Sequence, residues 1–187
     1  VNLMTAGHGI VHTEEATGPE PLMHAAQLWV ALPKAHKDTA PRFDHYPDLP
    51  RWQEPGVEAT LLVGEYAGRR APTLSFSPLV AVEFLAEQAS DLTLSLRSDF
   101  EYGLVALEGD IQVEGEAFAA NHLAYIGGGR DEVRVRVAPG TRLLMLGGEP
   151  LGEEILIWWN FVGHSREEIT EAQDEWAAGS ERFGKVP

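Results

Sequence analysis

Apolar and polar residues alternate, or run apolar over strand lengths, at Val80-Ala81-Val82-Glu83-Phe84, Leu92-Thr93-Leu94-Ser95-Leu96, Val133-Arg134-Val135-Arg136-Val137 and Glu154-Ile155-Leu156-Ile157-Trp158. A period of two sends successive side chains to opposite faces, so each segment reads as a strand with a face in a core. Turn signals close them. Glu108-Gly109-Asp110 and Glu114-Gly115-Glu116 bracket Ile111-Gln112-Val113, Gly127-Gly128-Gly129 precedes the 133–137 strand, and Pro139-Gly140 follows it. Short strands spaced by about ten residues, with nothing between 57 and 160 that reads as a crossover helix, predict an all-β sandwich or barrel.

The period changes to that of a helix only near the end. Ser165-Arg166-Glu167-Glu168 is a capping-box pattern: the serine oxygen accepts the Glu168 backbone N–H and the glutamate side chain returns a bond to the cap. Gly179 is the stop, and Ile169, Ala172, Gln173 and Trp176 fall on one face between the two. The expectation is a C-terminal α-helix laid on the β body, with Trp176 as its anchor. Trp158 and Trp159, adjacent on a strand, are expected to face opposite ways and both to be buried.

Residues 33–56 differ in composition, with Pro33, Pro41, Pro47, Pro50 and Pro55 separating charged and aromatic residues. This reads as a long connection carrying short extended pieces such as Arg42-Phe43-Asp44. A first region, 1–32, has strands expected near 1–5, 10–14 and 26–31, too few to close a barrel. The expected division is therefore an incomplete first domain plus connection over 1–56, and a second domain with the terminal helix over 57–187.

Charge and composition narrow the function. The 187 residues include 14 basic and 29 acidic side chains, a formal charge of −15, and no cysteine. Such an acidic chain with scattered basic residues is repelled by a phosphate backbone, so direct nucleic-acid binding is not expected. Absence of cysteine removes disulfides and thiolate chemistry from these residues and points to a reducing cytoplasm. No apolar run reaches the ~18–20 residues of a membrane span, so no membrane partner is expected. The Gly-x-Ser-x-Gly of a hydrolase is missing, and Gly127-Gly128-Gly129 lacks the strand–loop–helix setting of a phosphate cradle.

Candidate chemistry begins at Gly9-Ile10-Val11-His12-Thr13-Glu14. On an extended strand His12 and Glu14, two apart, project from one side. An imidazole nitrogen and a carboxylate oxygen are ligand types that suit divalent iron, manganese, nickel or copper. Alone, a His-x-Glu is a weak signal, and a half-exposed strand histidine beside a glutamate is usually structural or solvated. His8 shares the parity of His12, which suggests a pocket-lining role more than a ligand. His24 reads as a hydrogen-bonded structural histidine, His122 as a turn residue, and His36, His45 and His164 as solvated loop residues.

The segment Met4-Thr5-Ala6-Gly7-His8-Gly9-Ile10-Val11-His12-Thr13-Glu14, followed by His24-Ala25-Ala26-Gln27-Leu28-Trp29-Val30-Ala31-Leu32-Pro33, closely resembles the pirin family of bicupins. So do Trp158-Trp159-Asn160-Phe161-Val162, Arg166-Glu167-Glu168-Ile169, and Gly179 through Phe183-Gly184. The resemblance runs in order over nearly the whole chain. It implies two antiparallel cupin (jelly-roll) β-barrels, the first metal-binding and the second metal-free. In the family the metal, usually iron, sits on three histidines and a glutamate, and the matching positions here are His12 and Glu14. The other two ligands belong to a His-x-His upstream in the family pattern, which these residues do not contain. That pattern is expected on a preceding segment, the alternatives being a naturally shortened member or a relic that has lost its site. In the second barrel, Tyr102 of Tyr102-Gly103-Leu104-Val105-Ala106-Leu107-Glu108-Gly109-Asp110 occupies the position of a cupin carboxylate ligand.

Two functions follow from the resemblance, and the residues leave both open. One is an Fe(II)-dependent quercetin 2,3-dioxygenase-type activity on a small aromatic, flavonol-like substrate, with other divalent transition metals as alternatives. There His12 and Glu14 hold the metal and Glu14 also acts as the catalytic base. The other is a metal- or redox-dependent regulator that binds a protein partner, a transcription factor or metabolic enzyme, without turnover.

Overall fold

The computed structural model describes residues 1–15, 18 and 24–186. In chain order its strands are β1 (Asn2–Thr5), β2 (Arg42–His45), β3 (Arg51–Glu54), β4 (Val57–Tyr66), β5 (Arg69–Arg70), β6 (Leu79–Ala86), β7 (Ser90–Ser95), β8 (Glu101–Glu108), β9 (Ile111–Val113), β10 (Glu116–Phe118), β11 (Leu123–Ile126), β12 (Glu132–Val137), β13 (Arg142–Gly148), β14 (Leu156–Trp158) and β15 (Phe161–Gly163). The helix α1 (Arg166–Ala177) follows, and two short 3₁₀ turns lie at Lys34–His36 and Glu181–Phe183. The fold is all-β with one C-terminal helix, as the periodicity predicts.

By contacts the chain divides into two compact units, Val1–Leu3 with His45–Leu151, and Met4–Asp44 with Gly152–Pro187. The boundary expected at 56 and this grouping part company over the C-terminal segment. Residues 152–187, with the helix, group with 4–44 and not with the strands that precede them.

The larger unit holds two antiparallel sheets. One has the order β11-β8-β13-β6-β4-β3, with β5 paired to β4, and the other β10-β9-β12-β7. Consecutive β6 and β7 lie in different sheets and are met there by β13 and β12, which are consecutive in their turn. That nested pairing is the jelly-roll arrangement. Strict alternation explains the layering: in β12, Val133, Val135 and Val137 are buried while Glu132, Arg134 and Arg136 face out. Leu61, Val82, Leu104, Ile111, Leu143 and Met145 are fully buried in the same core, each contributing about 1.5–3 kcal/mol through burial. Outward pairs such as Arg136 with Asp91 and Arg134 with Glu114 lie exposed, where ion pairs add little.

The smaller unit contains the β14–β15 hairpin and α1. Ser165 caps the helix by accepting the Glu168 N–H at 3.2 Å. The capping box is only half made, because the Glu168 carboxylate accepts instead from the His164 N–H at 2.8 Å and from Lys37 Nζ at 3.0 Å. Both partners point at it from outside the first turn, and a charged donor outcompetes the neutral cap N–H. Gly179, at φ +70°, ends the helix in a Schellman arrangement, with Gly179 N–H on Trp176 O and Ser180 N–H on Glu175 O.

Several expectations are corrected here. Residues 10–14 and 26–31 do not form strands, since among the described residues no segment offers them a ladder of hydrogen bonds. The last predicted strand begins at Leu156, not Glu154. Trp158 and Trp159 are 55% and 80% exposed: Trp158 ends β14, and Trp159, at φ +52°, lies in the tight turn to β15 and leaves the strand geometry that would have set the two side chains on opposite faces. The helix anchors on Ile169 and Ala172, which are buried, whereas Trp176 is 52% exposed and stands edge-on to Phe183 at 5.4 Å.

Candidate functional site

The segment that carries His12 and Glu14 leaves β1 through a turn at Ala6–Gly9, closed by the Gly9 N–H on Ala6 O at 2.9 Å. Gly7 sits at φ +54°, and a Cβ there would stand 1.8 Å from Thr39 O. The neighbouring His8 N–H donates to that same carbonyl at 3.1 Å, so only glycine permits the approach. At Gly9, φ +136°, a Cβ would meet the Phe183 ring at 2.9 Å. Arg182 Nε donates to His8 O at 2.5 Å and its Nη1 to Glu175 at 2.9 Å. The residues flanking the Gly-His-Gly turn are therefore a clamp, made by Thr39 on one side and the Arg182–Phe183 turn on the other.

Two further ties brace this unit. Glu153 Oε2 accepts the Lys34 N–H at 2.8 Å and lies 3.4 Å from His164 Nδ1. Lys37 Nζ meets Glu168 at 3.0 Å. The N–H of His164 and the ammonium of Lys37 hold the Glu168 carboxyl below the usual carboxylate range, and the same hydrogen bond raises Lys37 above the usual lysine value. His164 was expected in solvent; its side chain is 8% exposed, covered beside Glu153. Local spacing does not mark the Lys34–Glu153 and Lys37–Glu168 ties, because each joins residues more than a hundred positions apart.

Beyond the clamp, the backbone runs through His12 and Glu14 outside any helix or strand, and both side chains are exposed. Glu14 Oε1 accepts from Gln27 Nε2 at 3.2 Å. His8 contributes its backbone to the clamp, and its side chain is exposed. Among the described residues there is no group of three or more histidine, aspartate or glutamate side chains placed to hold a metal ion. The donor types of His12 and Glu14 fit iron, but two donors on an exposed segment are fewer than an ion of this kind requires. The described residues by themselves assemble no complete metal site.

In the larger unit, Tyr102 is buried and its hydroxyl accepts the Arg97 N–H at 2.8 Å. His122 lies exposed in a turn, with Nδ1 3.2 Å from Ala120 O, and His45 Nδ1 is 2.7 Å from Asn2 Oδ1. Gly127-Gly128-Gly129 leads into β12 with its Gly129 N–H on Ser98 O, a turn as expected. No helix among the described residues is long and apolar enough to cross a membrane.

Comparison with known proteins agrees with this architecture. Residues 81–184 match the model of the pirin C-terminal cupin domain. A Pseudomonas aeruginosa protein named "putative quercetin 2,3-dioxygenase" is 57% identical over 186 residues, covering 100% of this chain and 59% of its own length. Pirin-1 of Arabidopsis thaliana is 31% identical over 98% of this chain and 66% of its own. The crystal structure of quercetin 2,3-dioxygenase from Acinetobacter baumannii superposes with a TM-score of 0.96 at 44% identity, covering 100% of this chain and 62% of that one. The chain thus spans about three-fifths of the length of these relatives.

Proposed function

The chain belongs to the pirin family, and from that premise we propose that its protein is an iron-dependent oxygenase of the quercetinase type, acting on small flavonol-like aromatics in the cytoplasm. The observation that carries this reading is the His12-x-Glu14 pair leaving a glycine-locked turn. Similarity to two proteins named as quercetin 2,3-dioxygenases supports it. An iron ion held by this pair, together with the two histidines that the family pattern supplies, would carry the oxygen chemistry. The chain's own share is positional and acid–base. Thr39, Arg182 and Phe183 fix where the His12–Glu14 segment starts. With Oε1 of Glu14 engaged by the Gln27 amide, Oε2 is the atom assigned to accept the substrate hydroxyl proton.

The test is anaerobic loading of the intact protein with Fe(II), followed by loss of flavonol absorbance on admission of air. Glu14→Gln is expected to lower turnover by about 10²–10⁴-fold, and His12→Ala to remove bound iron measured by plasma mass spectrometry. A fully iron-loaded protein without turnover would exclude the oxygenase.

A second reading, a metal- or redox-dependent regulator of a protein partner, is favoured by one feature. Ile157, Trp158, Trp159 and Val162 are exposed together on the β14–β15 hairpin, the kind of apolar patch that partner surfaces present. It requires a partner whose affinity differs between Fe(II) and Fe(III) protein, and equal affinity would exclude it.

A further inference from the structure

At one end of the larger unit's sandwich, the end of β4, the starts of β6 and β8 and the residues following β7 line a half-open cavity of about 180 Å³. Its wall includes Tyr66, Val80, Leu96, Arg97, Phe100 and Tyr102. At ~30 Å³ per water the space holds about six waters, well short of the ~300 Å³ of a drug-sized site. It suits a single ring.

Both phenols are held as acceptors. Tyr66 Oη takes the Ser95 N–H at 3.1 Å and Tyr102 Oη takes the Arg97 N–H at 2.8 Å. The intervening Leu96 N–H points the other way, to Asp131 O at 2.7 Å. The backbone is therefore extended here, and the two hydroxyls dock along one edge on N–H groups two residues, or about 6.5–7 Å, apart. A hydroxyl that accepts still has its own proton to donate, and among the described residues neither proton meets an acceptor. Burial pushes Tyr66 up to about 12 and raises Tyr102 as well, so both remain protonated donors at neutral pH. Tyr66 is raised further, to a smaller degree, by the neighbouring Tyr102.

The walls are aromatic and the rim is charged. Phe100 lies 6.0 Å from Tyr102. Arg97 stands over Phe100 at 4.2 Å with Asp99 as its partner, and Glu65 at the rim is paired with Arg70. Space for the Tyr102 ring is kept by Gly147 across β13, where a Cβ would come within 2.4 Å of it.

We propose that this cavity is a binding site for a small monocyclic aromatic carboxylate, its ring between Phe100, Leu96 and Val80 and its two oxygens bridging the hydroxyls of Tyr66 and Tyr102. A carboxylate presents two acceptor oxygens, each able to take an O–H···O bond of about 2.7 Å, one from each hydroxyl. The lining belongs wholly to the larger unit and includes neither His12 nor Glu14, so the proposal does not depend on the oxygenase reading.

The experiment is calorimetric titration of the intact protein with benzoate and with benzyl alcohol, its uncharged counterpart. Tyr66→Phe and Tyr102→Phe keep the rings and remove one donor each. Each is expected to weaken benzoate binding about tenfold, as loss of a hydrogen bond to a charged group does, and to change benzyl alcohol binding less than about threefold. His12→Ala is expected to leave benzoate affinity unchanged. No saturation by about 10 mM benzoate would overturn the proposal. So would wild-type affinity in both tyrosine variants, or loss of binding in His12→Ala alone. Should near-ultraviolet circular dichroism find Tyr102→Phe unfolded, Tyr66→Phe decides the outcome by itself.

Discussion

The two units are held by different means. The larger one, residues 1–3 with 45–151, is stabilised from inside: both sheets turn alternate side chains into a continuous apolar core. The smaller one, residues 4–44 with 152–187, buries only a few apolar groups, among them Ile169, Ala172 and Phe183, and relies on directed contacts. Its ties are a carbonyl approached at Gly7, an arginine on His8 O, and the Lys37–Glu168 and Lys34–Glu153 bonds. A core tolerates volume-conserving exchange, because dispersion and burial have no direction. Directed contacts do not, because each depends on one atom in one place. The candidate metal ligands follow the second kind of structure, where geometry is set residue by residue.

The comparison breaks most severely in the core of the larger unit. Leu104→Ala removes a fully buried side chain between sheets and is expected to cost about 2–5 kcal/mol in urea unfolding. An equal loss from an exposed residue such as Trp159 would contradict the assignment of stability to the core.

Next in size is Gly7→Ala. It forces an L side chain into φ +54° against Thr39 O, at a cost of about 1–2 kcal/mol from the backbone conformation before any clash. Faster amide hydrogen exchange at His8, whose N–H bonds Thr39 O, is the expected readout, with the larger unit's core amides unchanged. Loss of protection throughout both units would sink the idea that the clamp acts locally.

A smaller effect sharpens the electrostatic side. The Glu168 carboxyl is depressed by the His164 N–H and Lys37. A depressed folded value means stability that is present above the unfolded value near 4.5 and lost as pH falls through the depressed one. Glu168→Gln is therefore expected to cost about 0.5–1 kcal/mol at pH 7, solvent access limiting the pair. The difference from wild type should shrink as the pH drops below 4.5; a pH-independent difference would assign it to packing.

Smallest is Trp159→Gly. The turn holds a tryptophan at φ +52° with 80% of it exposed, so glycine relieves backbone strain and loses little burial. Thermal unfolding should move by no more than about 1 kcal/mol, toward stability.

Much of the fold was legible in the chain because strand faces, turns and the helix cap are local patterns. The 133–137 alternation, the 111–113 strand and the serine cap are found where their spacing places them. Several departures trace to what lies outside the local pattern. The stretches 10–14 and 26–31 carry strand-like residues without a ladder. Glu168 abandons its own cap for Lys37, and His164 is covered beside Glu153.

The all-β class, the positions of most strands and the helix with its cap and stop are dictated by local pattern, since each is written in residues within one or two turns of one another. Only the tertiary structure decided that residues 152–187 brace residues 4–44, that Gly7 and Gly9 are shaped by Thr39 and Phe183, and that two phenols share one cavity. These depend on which distant atoms arrive within a few ångströms. A chain read locally records what each residue can do but not what it will meet.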